Sequence, residues 1–227
     1  NINTLSGSAA DLISTFTANS NGSISGLGNE AVNVNSGTAS TSQANNLAAA
    51  TSAVVTATIS DGDMATLAGL SETGNAYTIT ITDNSVAAAA LNTLDGKTSV
   101  AINASNITTL TGTAADINTA YAANGSSITG LGNEAATLSD TSLAVAVLNT
   151  LDGNTSGAID ASNINTLTGN AANLITAYDS GGISGLGNEA VNVNSGSAST
   201  SQANALAADT SGVVTATISD GDMATLA

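Results

Sequence analysis

Hydrophobic and polar residues alternate in eight short stretches of this chain. In residues 77–82, Tyr77, Ile79 and Ile81 alternate with three threonines, a pattern typical of a strand with one buried face. The same alternation occurs in seven further stretches: residues 31–36, 55–60, 100–105, 135–140, 157–162, 190–195 and 214–219. The sequence therefore predicts eight strands, spaced mostly 22–24 residues apart and 33–35 where a helical stretch is inserted.

An apolar stretch with helical spacing follows the alternating residues. After residues 77–82, the short polar residues 83–85 can accept hydrogen bonds from the free N–H groups of a helix, and an apolar stripe then runs to Asp95-Gly96. The same reasoning predicts helix caps at Asp61, Thr41, Thr113 and Thr141. Residues 107–110 are predicted as a short first helical piece, and residues 20–29, 124–133 and 180–188 as Gly-rich turns.

The chain repeats itself. Residues 1–5 recur as residues 163–167, and residues 24–31 recur as residues 183–190, so the repeat is about 160 residues long. Residues 1–227 are therefore predicted to form a single continuous repeat array of about 1.4 copies, each made of 22–35-residue strand-helix modules. We expect the sequence to be a fragment of a longer chain.

Strands separated by helices, without hairpin signals, favour parallel pairing through right-handed crossovers. The predicted fold is an α/β solenoid, with a parallel β-sheet on one side and short helices on the other. Eight strands spaced ~4.8 Å apart would form a rod of roughly 40 Å. A β-helix is the alternative if the Ala-rich stretches are strands.

Composition restricts the partners. The chain has 42% hydrophobic residues but one Phe and no Trp, Pro, Cys or His, so its core must consist of small aliphatic side chains. Its net charge is −16, from seventeen carboxylates and Lys97 alone. No basic patch exists to displace counterions from phosphates, which makes nucleic acid and anionic membranes unsuitable partners. No apolar run reaches the ~18 residues of a membrane span.

The sequence lacks the residues on which most catalytic mechanisms depend. Without His or Cys there is no Ser–His or Cys–His pair and no ordinary zinc site, so we predict that the protein is not an enzyme and has no catalytic residues. The Gly-Leu-Gly-Asn-Glu motif at residues 26–30, 130–134 and 185–189 is similar to a phosphate loop. However, it lacks the lysine and precedes a predicted strand, which favours a turn.

Calcium is the one cofactor that the acidic residues suggest. Asp61 and Asp63 flank a glycine, and Asp220 and Asp222 repeat the arrangement. Carboxylates at stacked corners could share a hard cation in a protein this acidic. The alternative is that these residues are helix N-caps, favoured by the helix dipole.

Three phrases of the sequence carry a family resemblance. Residues 87–96, 106–116 and 128–135 resemble the repeats of giant cell-surface proteins of cyanobacteria, of the swimming-associated surface protein type. The resemblance covers essentially the whole chain. It implies an extracellular or cell-surface location and a role in the surface layer, motility or adhesion, but it brings no binding residues.

These observations favour a structural extracellular repeat protein, a rigid rod, fibre or surface-coat segment of a giant secreted protein. Its expected partners are copies of itself or adjacent repeats, stacked end to end or assembled laterally. The alternative is an adhesion or binding module for glycan, ice or a cell surface. It would use the polar Thr and Asn side chains of the outward sheet face, such as Thr56, Thr58, Thr78 and Thr80.

Overall fold

Strands and helices alternate along the chain in a computed structural model that describes residues 2–222. The eight helices within these residues are α1 (Ala9–Ser20), α2 (Thr41–Ala50), α3 (Met64–Leu67), α4 (Ala88–Asp95), α5 (Ala114–Ala123), α6 (Val145–Asn154), α7 (Ala171–Asp179) and α8 (Thr200–Asp209). The strands are β1 (Thr4–Ser8), β2 (Ala31–Ser36), β3 (Val55–Thr58), β4 (Ala76–Thr78), β5 (Ser85–Ala87), β6 (Ile102–Asn103), β7 (Thr109–Gly112), β8 (Ile128–Thr129), β9 (Ala135–Leu138), β10 (Ser142–Ala144), β11 (Ile159–Asp160), β12 (Thr166–Gly169), β13 (Ile183–Ser184), β14 (Ala190–Val193) and β15 (Val214–Thr215).

The first compact region comprises the residues up to Ile107 together with Ala123–Leu131. Its main sheet has the order β1-β2-β3-β4, and β6 pairs with β8 in a second sheet. Every registered pair in these sheets is parallel, as predicted. Helix α1 packs beside α2, and α3 beside α4, so successive modules lie next to each other.

The second compact region comprises Thr108–Ala122 together with the residues from Gly132 onward. It contains one sheet with the order β10-β12-β14-β15 and another in which β13, β11, β9 and β7 are neighbours in that order. These pairs are also parallel. Helices α6, α7 and α8 pack in sequence order. The α/β class with parallel sheets is therefore confirmed.

The alternating pattern identifies the core correctly. All of the predicted inward side chains are buried: Val32, Val34, Ala57, Ile59, Ile79, Ile81, Ile102, Ala104, Leu138, Ile159 and Ala161. The outward Thr and Asn side chains are exposed or half-buried. Small aliphatic residues fill the interior because each strand contributes one narrow apolar row that packs beneath the helices.

The prediction of one sheet is wrong, because residues 2–222 form four sheets. Residues 85–87 and 142–144, predicted to open helices, are strands β5 and β10, and the predicted helical piece at residues 107–110 overlaps strand β7. Thr109 and Leu110 of β7 lie in register with Ala135 and Ala136 of β9. A parallel neighbour supplies backbone partners for these residues, and tertiary pairing then overrides the local helical pattern.

Within residues 2–222, none of the helices combines the length and the apolar character that a membrane span requires.

Candidate functional site

The aspartates at the strand-to-helix corners bind helices of the preceding module. Asp61 Oδ2 accepts a hydrogen bond from the backbone N–H of Thr41 at 2.7 Å, and Asp220 does the same for Thr200 at 2.6 Å. Thr41 and Thr200 are the first residues of α2 and α8. A carboxylate at this position is stabilised by the free N–H groups and by the helix dipole. The N–H of Thr200 accordingly lowers the pKa of Asp220.

The same connection occurs at two further corners. Asp83 accepts from the N–H of Met64 at 2.6 Å, and Asp140 accepts from the N–H of Ala114 at 2.7 Å. The prediction that residues 83–85 cap their own helix is therefore wrong, since α4 begins after strand β5 and has no side-chain cap. Thr141 does not cap α6 either, because that helix begins after Ala144. These aspartates join modules that lie 19–26 residues apart in sequence.

Asp63 caps a different helix from the one that Asp61 contacts. It caps its own short helix α3, accepting from the N–H of Thr66 at 2.9 Å. Gly62 lies between them, and a Cβ there would stand 2.9 Å from the carbonyl oxygen of Thr80, so the neighbouring strand leaves no room for a side chain. The Asp-Gly-Asp motif thus has a structural cause. Asp222 occupies the position equivalent to Asp63, and residues 223–226 lie outside the described residues.

Helix capping engages one carboxylate oxygen of each of Asp61, Asp63 and Asp220. Residues 2–222 contain no group of three or more His, Cys, Asp or Glu side chains that could hold a metal ion. Calcium binding by Asp61, Asp63, Asp220 and Asp222 stays a prediction. Adding a chelator to the purified protein and measuring the melting temperature and circular dichroism tests it.

Three buried glutamates form the most elaborate polar sites of the protein. We call these sites the glutamate nests; they comprise residues 28–30, 132–134 and 187–189. The side chains of Glu30, Glu134 and Glu189 are at most 1% exposed. In each nest the carboxylate accepts hydrogen bonds from the two preceding backbone N–H groups. A buried carboxylate requires such compensation.

The geometry of the nest explains the Gly-Leu-Gly-Asn-Glu motif. The N–H of Gly132 donates to Glu134 Oε2 at 2.8 Å and that of Asn133 at 3.2 Å. Gly132 has a φ of 140°, a backbone conformation that favours glycine. The N–H groups that a phosphate would need already bind the chain's own carboxylate. A strand follows each loop, so the turn reading of the motif is confirmed.

A tyrosine completes two of the three nests. Tyr121 donates its hydroxyl to Glu134 at 3.0 Å, and Tyr178 donates to Glu189 at 2.6 Å. Burial, together with the adjacent carboxylate, raises the pKa of both tyrosines. In the first nest, Phe16 stands where the second copy of the repeat has Tyr178. The N–H of Gly28 lowers the pKa of Glu30 there.

A threonine from the next module donates a hydrogen bond to the backbone of each nest. The hydroxyls of Thr51, Thr155 and Thr210 donate to the backbone carbonyls of the three glutamates, each at 2.7 Å. The serine after each threonine donates its N–H to the carbonyl of the glycine of the nest. We call this Thr-Ser arrangement the threonine clasp. Thr98 makes the same bond to the carbonyl of Tyr77, which stands in place of the glutamate.

The sequence reasoning missed the nests and the clasps. It treated residues 124–133 and their equivalents as turns and gave the glutamates no role. A usable signal was present, because Gly-x-Gly-Asn-Glu is followed by Thr-Ser with the threonine 21 residues after the glutamate in all three cases. Hydropathy conceals it, since a charged residue is ordinarily placed on the surface.

Comparing Phe16 with the tyrosines gives a testable prediction. Phe16→Tyr should raise the melting temperature by about 2–4 °C, because the added hydroxyl can donate to Glu30 as Tyr178 does to Glu189. Differential scanning calorimetry measures the shift. Tyr178→Phe is the matched control and should lower the melting temperature by a similar amount. A Phe16→Tyr protein that melts at or below the wild-type temperature would contradict the equivalence of the nests.

A small apolar cavity of about 240 Å³ lies between α3 and α4 in the first compact region. Leu67, Leu70 and Leu94 line it, together with Lys97. Lys97 is half-buried, and its Nζ donates to the carbonyl of Ser71 at 3.0 Å. The cavity is smaller than the roughly 300 Å³ at which ligand pockets begin, so we assign it no ligand.

The outward face of the first sheet carries exposed hydroxyls. Thr56, Thr58, Thr78 and Thr80 are all exposed, and Thr58 lies in register with Thr78 on the neighbouring strand. Thr80 is bridged to Asn103 of the following module. The face is therefore a regular polar array without charge.

Comparison with protein-family models, curated proteins and solved structures found no match to this chain. The resemblance to cyanobacterial cell-surface repeats accordingly stays a prediction. The structural evidence that bears on function is the set of hydrogen bonds that join neighbouring modules.

Proposed function

We propose that this chain is a structural segment of a giant secreted protein, a rigid rod, fibre or surface coat built as an α/β solenoid. The observation that carries the proposal is that aspartates and threonines of one module repeatedly hydrogen-bond to the backbone of a neighbouring module. Glu134 illustrates this: its carboxylate holds its own loop, and its carbonyl accepts the hydroxyl of Thr155 from the next module. Groups used in this way serve cohesion between modules.

In this proposal the chain acts mechanically, because its modules hold one another in place. Each module buries an apolar row beneath its helix and shares strand, aspartate and threonine bonds with the next module. Stability in such arrays is approximately the sum of module and nearest-neighbour terms, so it grows with the number of modules. We further propose that residues 1–227 form one continuous repeat array, that the protein has no enzymatic activity, and that it is extracellular or located at the cell surface.

Small-angle X-ray scattering of the purified protein tests the proposed architecture. A rod gives a scattering profile with a constant cross-section and a maximum dimension well above that of a globule of the same mass. A compact globular profile would end the proposal. Electron microscopy of native material would then distinguish a filament, a coat and dispersed rods.

The exposed threonine array favours a second candidate function, binding of ice, glycan or a cell surface by the outward sheet face. Thr58 and Thr78 lie side by side on neighbouring strands, so their hydroxyls form a repeating row. Thermal hysteresis of the purified protein tests for ice, and a glycan array tests for sugars. Activity in either assay that Thr58→Val or Thr78→Val reduces would support binding, whereas inactivity in both leaves the structural function.

A further inference from the structure

One peptide bond in the sequence follows a basic residue. Lys97 is the single Lys or Arg among the 227 residues. Proteases of trypsin specificity hold a Lys or Arg side chain in a pocket with a carboxylate at its base and cut the bond that follows this residue. The bond between Lys97 and Thr98 is therefore the one place in this sequence where such a protease can act.

The preceding module binds both residues of this bond. The Nζ of Lys97 donates to the carbonyl of Ser71 at 3.0 Å. The hydroxyl of Thr98 donates to the carbonyl of Tyr77 at 2.7 Å and accepts from the N–H of Tyr77 at 2.9 Å. It also accepts from the N–H of Val100 at 3.1 Å. The charged end of the lysine and the residue after the bond are thus engaged by the protein's own backbone.

The chain on either side of the bond is also held. The N–H of Lys97 donates to the carbonyl of Leu94 at 2.9 Å, just after the end of α4, and Leu94 is 2% exposed. On the other side, Ser99 donates its N–H and its hydroxyl to the carbonyl of Asn75, at 2.9 and 3.1 Å. An extended peptide that a partner binds must offer its own backbone N–H and C=O groups. The last turn of α4 and the threonine clasp must therefore open before a protease can bind this segment.

We propose that the Lys97–Thr98 bond is a latched cleavage site for proteases of trypsin specificity. The threonine clasp at Thr98 is the latch: it holds the site closed in the folded protein, and local opening of this module exposes it. In the cleavage step water adds across the bond. Its hydroxyl joins the carbonyl carbon of Lys97, and the nitrogen of Thr98 leaves with the remaining proton as an amine. This inference goes beyond the proposed function, because it concerns one module whether or not the modules form a rod.

A related module offers a matched comparison. The Leu-Asp-Gly-Lys-Thr-Ser sequence of residues 94–99 recurs at residues 151–156 with Asn154 in place of the lysine. Thr155 forms the same clasp there, donating to the carbonyl of Glu134 at 2.7 Å. The variant Asn154→Lys therefore places a basic residue before a second clasp. We expect the new site to be latched as well.

Limited proteolysis of the folded protein with trypsin, followed by mass spectrometry, tests the proposal. When opening is fast relative to cleavage, the cleavage rate follows the population of the open form. Wild type should be cut at least about a hundredfold more slowly than a synthetic peptide of residues 92–103. Thr98→Val keeps the side-chain shape but removes the hydroxyl, so cleavage of the folded protein should be at least about tenfold faster. A second peptide that carries valine at this position corrects for any preference of the protease.

Three further variants serve as controls. Thr51→Val removes the clasp on Glu30 in the same compact region and should leave the cleavage rate at Lys97 within about twofold of wild type. Lys97→Asn should stay uncut. Thr73→Lys places a basic residue in an exposed turn without a clasp, and its new site should be cut at least about tenfold faster than the natural one.

Several results would overturn the latch. Equal acceleration by Thr51→Val and Thr98→Val would show that cleavage follows global unfolding. A wild-type rate equal to that of the peptide, or a Thr98→Val protein cut no faster than wild type, would contradict it as well. If Thr98→Val does not fold, as circular dichroism would show, the comparison of Asn154→Lys with Thr73→Lys decides: equal cleavage at the two new sites overturns the proposal. Scattering from the uncut wild type reports on the proposed function separately, since the shape of the protein does not depend on cleavage at Lys97.

Discussion

Replacing Glu134 by alanine should lower the free energy of unfolding by about 3–5 kcal/mol. The carboxylate accepts from the N–H groups of Gly132 and Asn133 and from the hydroxyl of Tyr121. The side chain is fully buried, so bulk water does not reach these donors in the folded protein. Each buried donor left without an acceptor costs about 1–3 kcal/mol, and the vacated volume adds a cavity term. Urea denaturation followed by circular dichroism measures the change.

Two further variants make this result specific. Glu72→Ala removes an exposed glutamate and should change stability by less than about 0.5 kcal/mol. Glu134→Gln keeps one acceptor oxygen but loses the charge, so its stability should fall between those of wild type and Glu134→Ala. If Glu134→Ala were as stable as Glu72→Ala, the nest would contribute nothing to cohesion.

Stability should fall at both ends of the pH scale. On the acid side, hydrogen bonds lower the pKa values of Glu30, Asp63, Asp160 and Asp220 below their usual values of 4.5 for Glu and 3.8 for Asp. The folded state therefore binds protons more weakly than the unfolded state. The stabilisation is complete above those usual values and is lost as the pH falls through the lower, folded-state values.

The loss of stability at alkaline pH depends on the buried tyrosines. Burial raises the pKa of Tyr77 from 10.0 to about 12 and also raises those of Tyr121 and Tyr178. The folded state holds these protons more tightly, so the stabilisation is complete below pH 10.0 and is lost as the pH rises through the folded-state values. Melting temperatures measured across the pH range, with tyrosinate absorbance at the alkaline end, test both limbs. Tyr121→Phe should make the alkaline limb shallower, since Tyr77 and Tyr178 remain, and leave the acid limb unchanged; an unaltered alkaline limb would contradict the assignment.

The strand interiors could be predicted from the sequence, and so could the start of α5, where Thr113 caps the helix by accepting from the N–H of Asp116. The starts of α4 and α6 could not. Alternation at residues 77–82 places Ile79 and Ile81 inside because side chains on a strand point to opposite faces. The start of α4 is different, since Val86 fits both a helical stripe and strand β5. Pairing with a distant strand decides between the two, and local spacing carries no information about that strand.

The polar sites were hidden for a similar reason. Asp61 lies immediately before a helical stretch and was expected to cap it, but it caps Thr41, 20 residues earlier. The sequence alone places the charged Glu134 on the surface, whereas in the structure its Gly-rich loop surrounds and binds the carboxylate. In both cases the partner comes from the arrangement of whole modules, which only the folded structure reveals.

The threonine clasp bonds to the main chain, and this has a consequence for how such a protein can change. Thr51 reaches the carbonyl of a glutamate and Thr98 that of Tyr77, with the same 2.7 Å hydrogen bond. A carbonyl is present whatever side chain occupies the position, so a module carrying this bond needs no co-adapted residue in its neighbour. Gene duplication or unequal recombination could therefore add, remove or reorder modules in a lineage without waiting for compensating mutations.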